Sequence, residues 1–175
     1  MHKKILAAVV LSATLQAMPA FAAPPAAAET PPQRTTATYE DWTVRCEVRD
    51  TAKSCEMVQS MQIKGQAQPV TQIAIGRVAK DKPLMVVFQV PINVWLPANV
   101  KLKIDDKDAG LAGTYRRCVP TSCFADTEVK EDALKKYRSL TENGKLLFKD
   151  AGQQDIVIPV SFKGFAQAYD ALQKP

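Results

Sequence analysis

Apolar and polar residues alternate along several short stretches of the chain, which is the pattern of strands that bury one face of a sheet. In the segment 100–105 every second residue is apolar, and the segment 156–162 repeats this pattern with a proline at position 159. Because proline cannot donate a hydrogen bond to a neighbouring strand, Pro159 predicts an edge strand or a bulge. Both segments are predicted strands with one face in the core.

Other apolar stretches, separated by turn-forming residues, predict further strands. They are Trp42–Glu47, Glu56–Ile63, Gln72–Ala79, Leu84–Val90, Tyr115–Cys118, Cys123–Thr127 and Lys145–Lys149. Two segments, 126–139 and 164–173, have helical spacing of apolar residues instead. Short strands about ten residues apart with turns between them are typical of a β-sandwich. We therefore expect a mainly β fold, an antiparallel β-sandwich with one or two short helices.

The first 22 residues have the three zones of a secretory signal peptide. Lys3 and Lys4 give a positive start, residues 5–15 are mostly apolar, and Ala20-Phe21-Ala22 is a small-x-small cleavage site. The apolar run is shorter than the ~20 residues that span a bilayer. We expect residues 1–22 to be removed on export and the chain to keep no integral membrane segment.

Residues 23–38 are rich in proline and alanine and contain no apolar residue larger than alanine. Such a composition cannot form a core and predicts a disordered leader. Residues 39–175 are then one domain of ordinary size. Loss of Lys3 and Lys4 lowers the formal charge from +5 to +3, and no basic block is present, so we expect no nucleic acid partner.

Four cysteines, Cys46, Cys55, Cys118 and Cys123, would meet an oxidising compartment after export, where disulfides persist. Four cysteines allow three pairings. Each neighbouring pair flanks a turn-rich segment between predicted strands, which suits a local bridge, whereas a long-range bridge would stabilise more in the chain-entropy model. A metal site is disfavoured because the spacing is wrong for a zinc finger and the only histidine, His2, lies in the signal peptide.

A mature chain without histidine has no serine–histidine or cysteine–histidine catalysis, so an enzyme would have to use carboxylates or a lysine. The cluster Asp105, Asp106 and Asp108 is the place for such a site, but its spacing is wrong for a calcium loop and it ends at a glycine, as turns do. We expect no catalytic residues, no metal and no cofactor. A carboxylate-dependent periplasmic enzyme is the alternative.

Trp95 lies between Pro91 and Pro97, in a segment too rich in proline for a central strand. We expect it to fold back over the core, because most tryptophans are largely buried. The alternative is an exposed aromatic anchor, which makes Trp95 the candidate contact for a protein partner.

Five segments, in order along the chain, form a recognisable set of motifs. They are YEDWTVRC at 39–46, CEMVQ at 55–59, VKLKIDD at 100–106, RCVPTSCFA at 117–125 and VSFKGF at 160–165. Together they resemble the bacterial invasion-associated locus B family over the whole domain. Residues 97–99 depart from the glycine-bearing turn expected there.

The resemblance implies an exported protein with an immunoglobulin-like β-sandwich, and it supports the two local cysteine pairs. It carries no catalytic residues over to this chain. We therefore expect a non-catalytic, periplasmic, secreted or surface protein that acts at the cell envelope or in host-cell interaction and invasion, with a protein partner not named by the sequence. A periplasmic envelope-maintenance or chaperone-like protein is the alternative.

Overall fold

A computed structural model describes residues 34–49, 52–61 and 71–174. Within these ranges the chain forms ten strands and two helices. The strands are β1 Arg34–Tyr39, β2 Trp42–Arg49, β3 Ala52–Met61, β4 Thr71–Gly76, β5 Met85–Val90, β6 Val100–Lys103, β7 Leu111–Val119, β8 Ser122–Glu128, β9 Asn143–Lys149 and β10 Asp155–Ser161. The helices are α1 Glu131–Arg138 and α2 Phe165–Gln173. The expected signal peptide and residues 23–33 of the expected leader lie outside the described residues.

The strands form one antiparallel sheet in the order β1-β2-β3-β4-β5-β8-β7-β6-β9-β10. Strand β7 joins the two halves of this sheet, because its residues 111–113 pair with β6 and its residues 114–119 pair with β8. The two layers expected of a sandwich are thus parts of one curled sheet. The predicted mainly β, antiparallel architecture with two short helices is confirmed.

The core lies on the inward face of this sheet, where alternate side chains of the strands meet. Trp42 on β2 is fully buried, and its Nε1 donates a hydrogen bond to the carbonyl oxygen of Ser161 on β10 at 2.9 Å. The ring of Phe165 on α2 meets Trp42 edge-on, with ring centroids 5.1 Å apart. Tyr137 on α1 stacks on Phe162 at 5.2 Å. Both helices therefore add aromatic rings to the core of the sheet.

The domain begins earlier than the sequence predicts. Residues 34–38 were expected in the disordered leader, but with Tyr39 they form β1, which pairs with β2 from Arg34↔Glu47 to Tyr39↔Trp42. This strand is exposed at one edge of the sheet, so it needs no large apolar residues, and its threonines favour extended backbone. At the opposite edge, β10 carries Pro159, as the proline predicts.

Candidate functional site

Both disulfides connect directly opposed residues of adjacent antiparallel strands. Cys46 on β2 faces Cys55 on β3, and Cys118 on β7 faces Cys123 on β8. Each pair forms a disulfide, with sequence separations of 9 and 5 residues and Cα atoms 4.0 Å apart in both. Each bond therefore closes one hairpin, and no described cysteine is free.

The acidic turn, residues 105–108, uses two of its carboxylates to hold its own backbone. Asp105 Oδ1 accepts hydrogen bonds from the N–H groups of Lys107 and Asp108, both at 2.8 Å. Asp108 Oδ2 accepts one from the N–H of Ile104 at 3.1 Å. These are the side chain–backbone bonds by which aspartates stabilise turns.

The third carboxylate of the acidic turn is in a surface ion pair. Asp106 Oδ1 lies 2.7 Å from Lys145 Nζ, and its side chain is 87% exposed. The hydrogen bond from Lys145, and then the charge of Lys145, lower the pKa of Asp106 below its usual range. A general acid at neutral pH needs a raised pKa, so the environment of this carboxylate favours a structural role.

No group of three or more His, Cys, Asp or Glu side chains in the described ranges could hold a metal ion. In the same part of the chain, neither helix is long and apolar enough to cross a bilayer.

The Trp95 loop, residues 91–99, is held by its backbone against the end of β9 and the turn that follows. The N–H of Trp95 donates to the carbonyl oxygen of Lys149 at 2.8 Å. The N–H of Ala151 donates to the carbonyl oxygen of Asn93, also at 2.8 Å, and Val94 forms an isolated bridge with Asp150. The loop has no regular strand but is anchored at several points.

The structure does not bury Trp95, so the expectation that it covers the core is wrong. Trp95 is 38% exposed, and its loop neighbours Ile92 and Leu96 are 43% and 51% exposed. Val94, which bridges to Asp150, packs against the core. The exposure of Ile92 and Leu96 was not predicted from the sequence, although both lie in the apolar run around Trp95.

The arrangement defines a disulfide-bonded antiparallel β domain that presents an anchored apolar loop. Residues 42–173 match the family described as "Invasion associated locus B (IalB) protein", and the chain belongs to that family. The resemblance of the five motifs is thereby confirmed.

Relatives of this family cover most of the chain. Two invasion protein B homologues of Brucella abortus, one from strain 2308 and one from biovar 1 strain 9-941, are each 29% identical over 136 residues, or 78% of this chain and 78% of the relative. The crystal structure of invasion associated protein B from Bartonella henselae matches with a TM-score of 0.68 at 23% identity, covering 79% of this chain and 94% of that chain. This structural likeness shows a shared fold.

Proposed function

We propose that this chain is an exported, non-catalytic protein that binds a protein partner at the cell envelope or the host-cell surface through the Trp95 loop. The observation that carries the proposal is the joint exposure of Ile92, Trp95 and Leu96 on a loop whose backbone is already fixed. Apolar and aromatic anchors dominate binding energy at protein interfaces. A loop fixed before binding loses less conformational entropy on association than a mobile one.

Two features support export. The first 22 residues have the zones of a signal peptide, and both disulfides are of a kind that persists outside the cytoplasm. The names of the Brucella and Bartonella relatives contain the word invasion, which supports host-cell interaction as the setting of the contact.

The acidic turn supports a non-catalytic role. Asp105 and Asp108 bond to the backbone of their own turn, and Asp106 pairs with Lys145. A carboxylate-dependent enzyme would lose an activity when these aspartates become asparagine, whereas a binding protein would keep its partner.

Location is tested first, by protease accessibility on intact cells together with fractionation of medium, outer membrane and periplasm. We expect the protein in the medium or digested from outside. Full protection until the outer membrane is opened would contradict a host-surface contact and leave a periplasmic envelope partner.

The loop is tested separately, by binding of purified protein to host cells and by crosslinking in envelope fractions. The variant Trp95→Ala, Leu96→Ser should lose binding by at least about tenfold, as expected for a central apolar anchor. Val48→Ser is the matched control, because Val48 is an exposed apolar residue on β2. Equal binding by the loop variant and the control would refute the assignment of the loop.

A further inference from the structure

A cleft of about 710 Å³ lies where three separate segments meet: the start of β3, the loop of residues 77–84 and the end of α2. None of its residues belongs to the Trp95 loop. Its basic side chains are Lys53, Arg77, Lys80, Lys82 and Lys174. Among the described residues that line it, Asp81 is the one acidic residue. We refer to this feature as the basic cleft.

The described residues that line the basic cleft carry a net charge equal to that of residues 34–174 as a whole. Residues 34–174 contain 21 basic and 17 acidic residues. Five of the basic residues and one of the acidic residues line the cleft. The rest of this range therefore contains 16 of each and is neutral in sum. The fold therefore brings five basic residues that are spread along the sequence to one place.

Most cations of the basic cleft form no ion pair within the described ranges. Lys82 Nζ lies 3.3 Å from Asp81 Oδ2. The other four cations, Lys53, Arg77, Lys80 and Lys174, take part in none of the ion pairs of the described ranges. Like charges placed together repel each other, and a bound anion relieves that repulsion. The site is thus electrostatically complementary to a ligand with several negative charges.

Apolar residues line the same cleft beside the cations. Leu84 and Leu172 lie in its wall, and Val78, on the loop between β4 and β5, is 87% exposed. Lysine and arginine side chains bind phosphate oxygens through charge-assisted hydrogen bonds. The cations come from three segments, so a single anionic group would pair with only some of them. A ligand that carries several anionic groups would pair with most of them at once.

We propose that the basic cleft binds a ligand that carries a cluster of phosphate groups. The source is either a soluble compound with several phosphates or a membrane whose phospholipid headgroups present them side by side. This site is separate from the protein contact proposed for the Trp95 loop, so either assignment stands without the other.

The test is isothermal titration of the exported protein with inorganic tripolyphosphate at low salt, and sedimentation with phosphatidylcholine vesicles that contain phosphatidylglycerol. The cleft variant is Arg77→Gln, Lys80→Gln, Lys82→Gln. The control variant is Lys101→Gln, Lys135→Gln, Lys163→Gln, which removes the same charge from exposed positions outside the cleft. We expect the cleft variant to bind at least about tenfold more weakly, and the control to stay within about twofold of the original protein.

The two probes distinguish the sources. Binding of tripolyphosphate alone assigns a soluble ligand, binding of vesicles alone assigns headgroups, and binding of both assigns the phosphate cluster in either setting. Binding of neither probe overturns the proposal. Equal weakening in the cleft and control variants also overturns it, because attraction would then follow net charge rather than the cleft.

Discussion

The side-chain amide of Gln59 on β3 forms two hydrogen bonds with the backbone of Ser161 on β10. Gln59 Nε2 donates to the carbonyl oxygen of Ser161 at 2.8 Å, and Gln59 Oε1 accepts from the N–H of Ser161 at 2.9 Å. Gln59 is only 5% exposed. A glutamine side chain thus acts as a neighbouring strand would, and it ties the edge strand β10 back to β3.

Replacing Gln59 by alanine should lower the free energy of unfolding by about 1–3 kcal/mol, because the partly buried N–H of Ser161 loses its Gln59 acceptor while the carbonyl keeps Trp42 as a donor. Urea unfolding followed by circular dichroism measures the change. Gln72→Ala is the control, since Gln72 bonds to Ser60 at the surface and should cost less than about 0.5 kcal/mol. Equal losses in the two variants would show that the Gln59 bonds add no stability.

Gly164 precedes α2 with φ of 79° and lies against the backbone of β1. A Cβ placed on Gly164 would clash with the carbonyl oxygen of Tyr39. Gly164→Ala should therefore destabilise the protein by more than about 2 kcal/mol, from left-handed strain and the clash. Gly152→Ala is the control, because its Cβ would meet only the Asp150 side chain at 3.4 Å. Thermal unfolding of both variants decides, and an unchanged melting temperature for Gly164→Ala would contradict the packing described.

The two tryptophans should differ in solvent access. Trp42 is fully buried and bonded to Ser161, whereas Trp95 is 38% exposed. In the Trp42→Phe protein the remaining fluorescence should be quenched by iodide, and in the Trp95→Phe protein it should be protected. Trp42→Ala should cost about 3–5 kcal/mol and Trp95→Ala much less. Protection of Trp95 from iodide would restore the expectation of burial.

Tyr115 should make part of the stability sensitive to alkaline pH. Burial raises its pKa to about 12, and its hydroxyl has no hydrogen-bond partner among the described residues. Since the unfolded value is about 10, this contribution is complete below pH ~10 and is lost as pH rises through about 12. Burial, and then the charge of Asp108, also raise the pKa of Tyr137, so Tyr137 adds to the same loss.

The variant Tyr115→Phe separates the two tyrosines. At pH 8 it should be as stable as the original protein or slightly more stable, because it removes a buried hydroxyl that has no partner among the described residues. Between pH 8 and pH 11 its free energy of unfolding, measured in urea, should fall by less than that of the original protein. The same fall in both proteins would exclude a contribution from Tyr115.

Each disulfide should stabilise the fold by an amount set by its loop. Replacing Cys46 and Cys55 by serine opens a loop with a sequence separation of 9 and should lower the free energy of unfolding by about 2–3 kcal/mol. Replacing Cys118 and Cys123, with a sequence separation of 5, should lower it by slightly less. Non-reducing peptide mapping of protein purified without reducing agent checks the bonds first. Free thiols at Cys118 and Cys123 would contradict the pairing in the structure.

Local patterns in the sequence were sufficient to predict much of this fold. Alternating residues located β6 and β10, helical spacing located α1 and α2, and Pro159 marked an edge. Each of these elements is determined by residues that are close together in the sequence. β1 was missed because its threonines have no apolar partners to alternate with, so only pairing with β2 reveals it.

Features that join distant segments were beyond such patterns. The bonds between Gln59 and Ser161 span 102 residues, and nothing near Gln59 in the sequence marks its partner. The basic cleft takes Lys53, Lys80 and Lys174 from three segments that are far apart in the chain. The exposure of Trp95 depends on how its loop is anchored to Lys149, a distant residue that the sequence around Trp95 does not mark.

Each of the two disulfides joins a cysteine to the next cysteine along the chain. If the chain enters an oxidising compartment from its N-terminus, Cys46 and Cys55 arrive together, long before Cys118. Oxidation in order of arrival then gives the native bonds, and no wrong bond has to be exchanged, a step that can take hours. We therefore expect maturation to require a thiol oxidase but no disulfide isomerase.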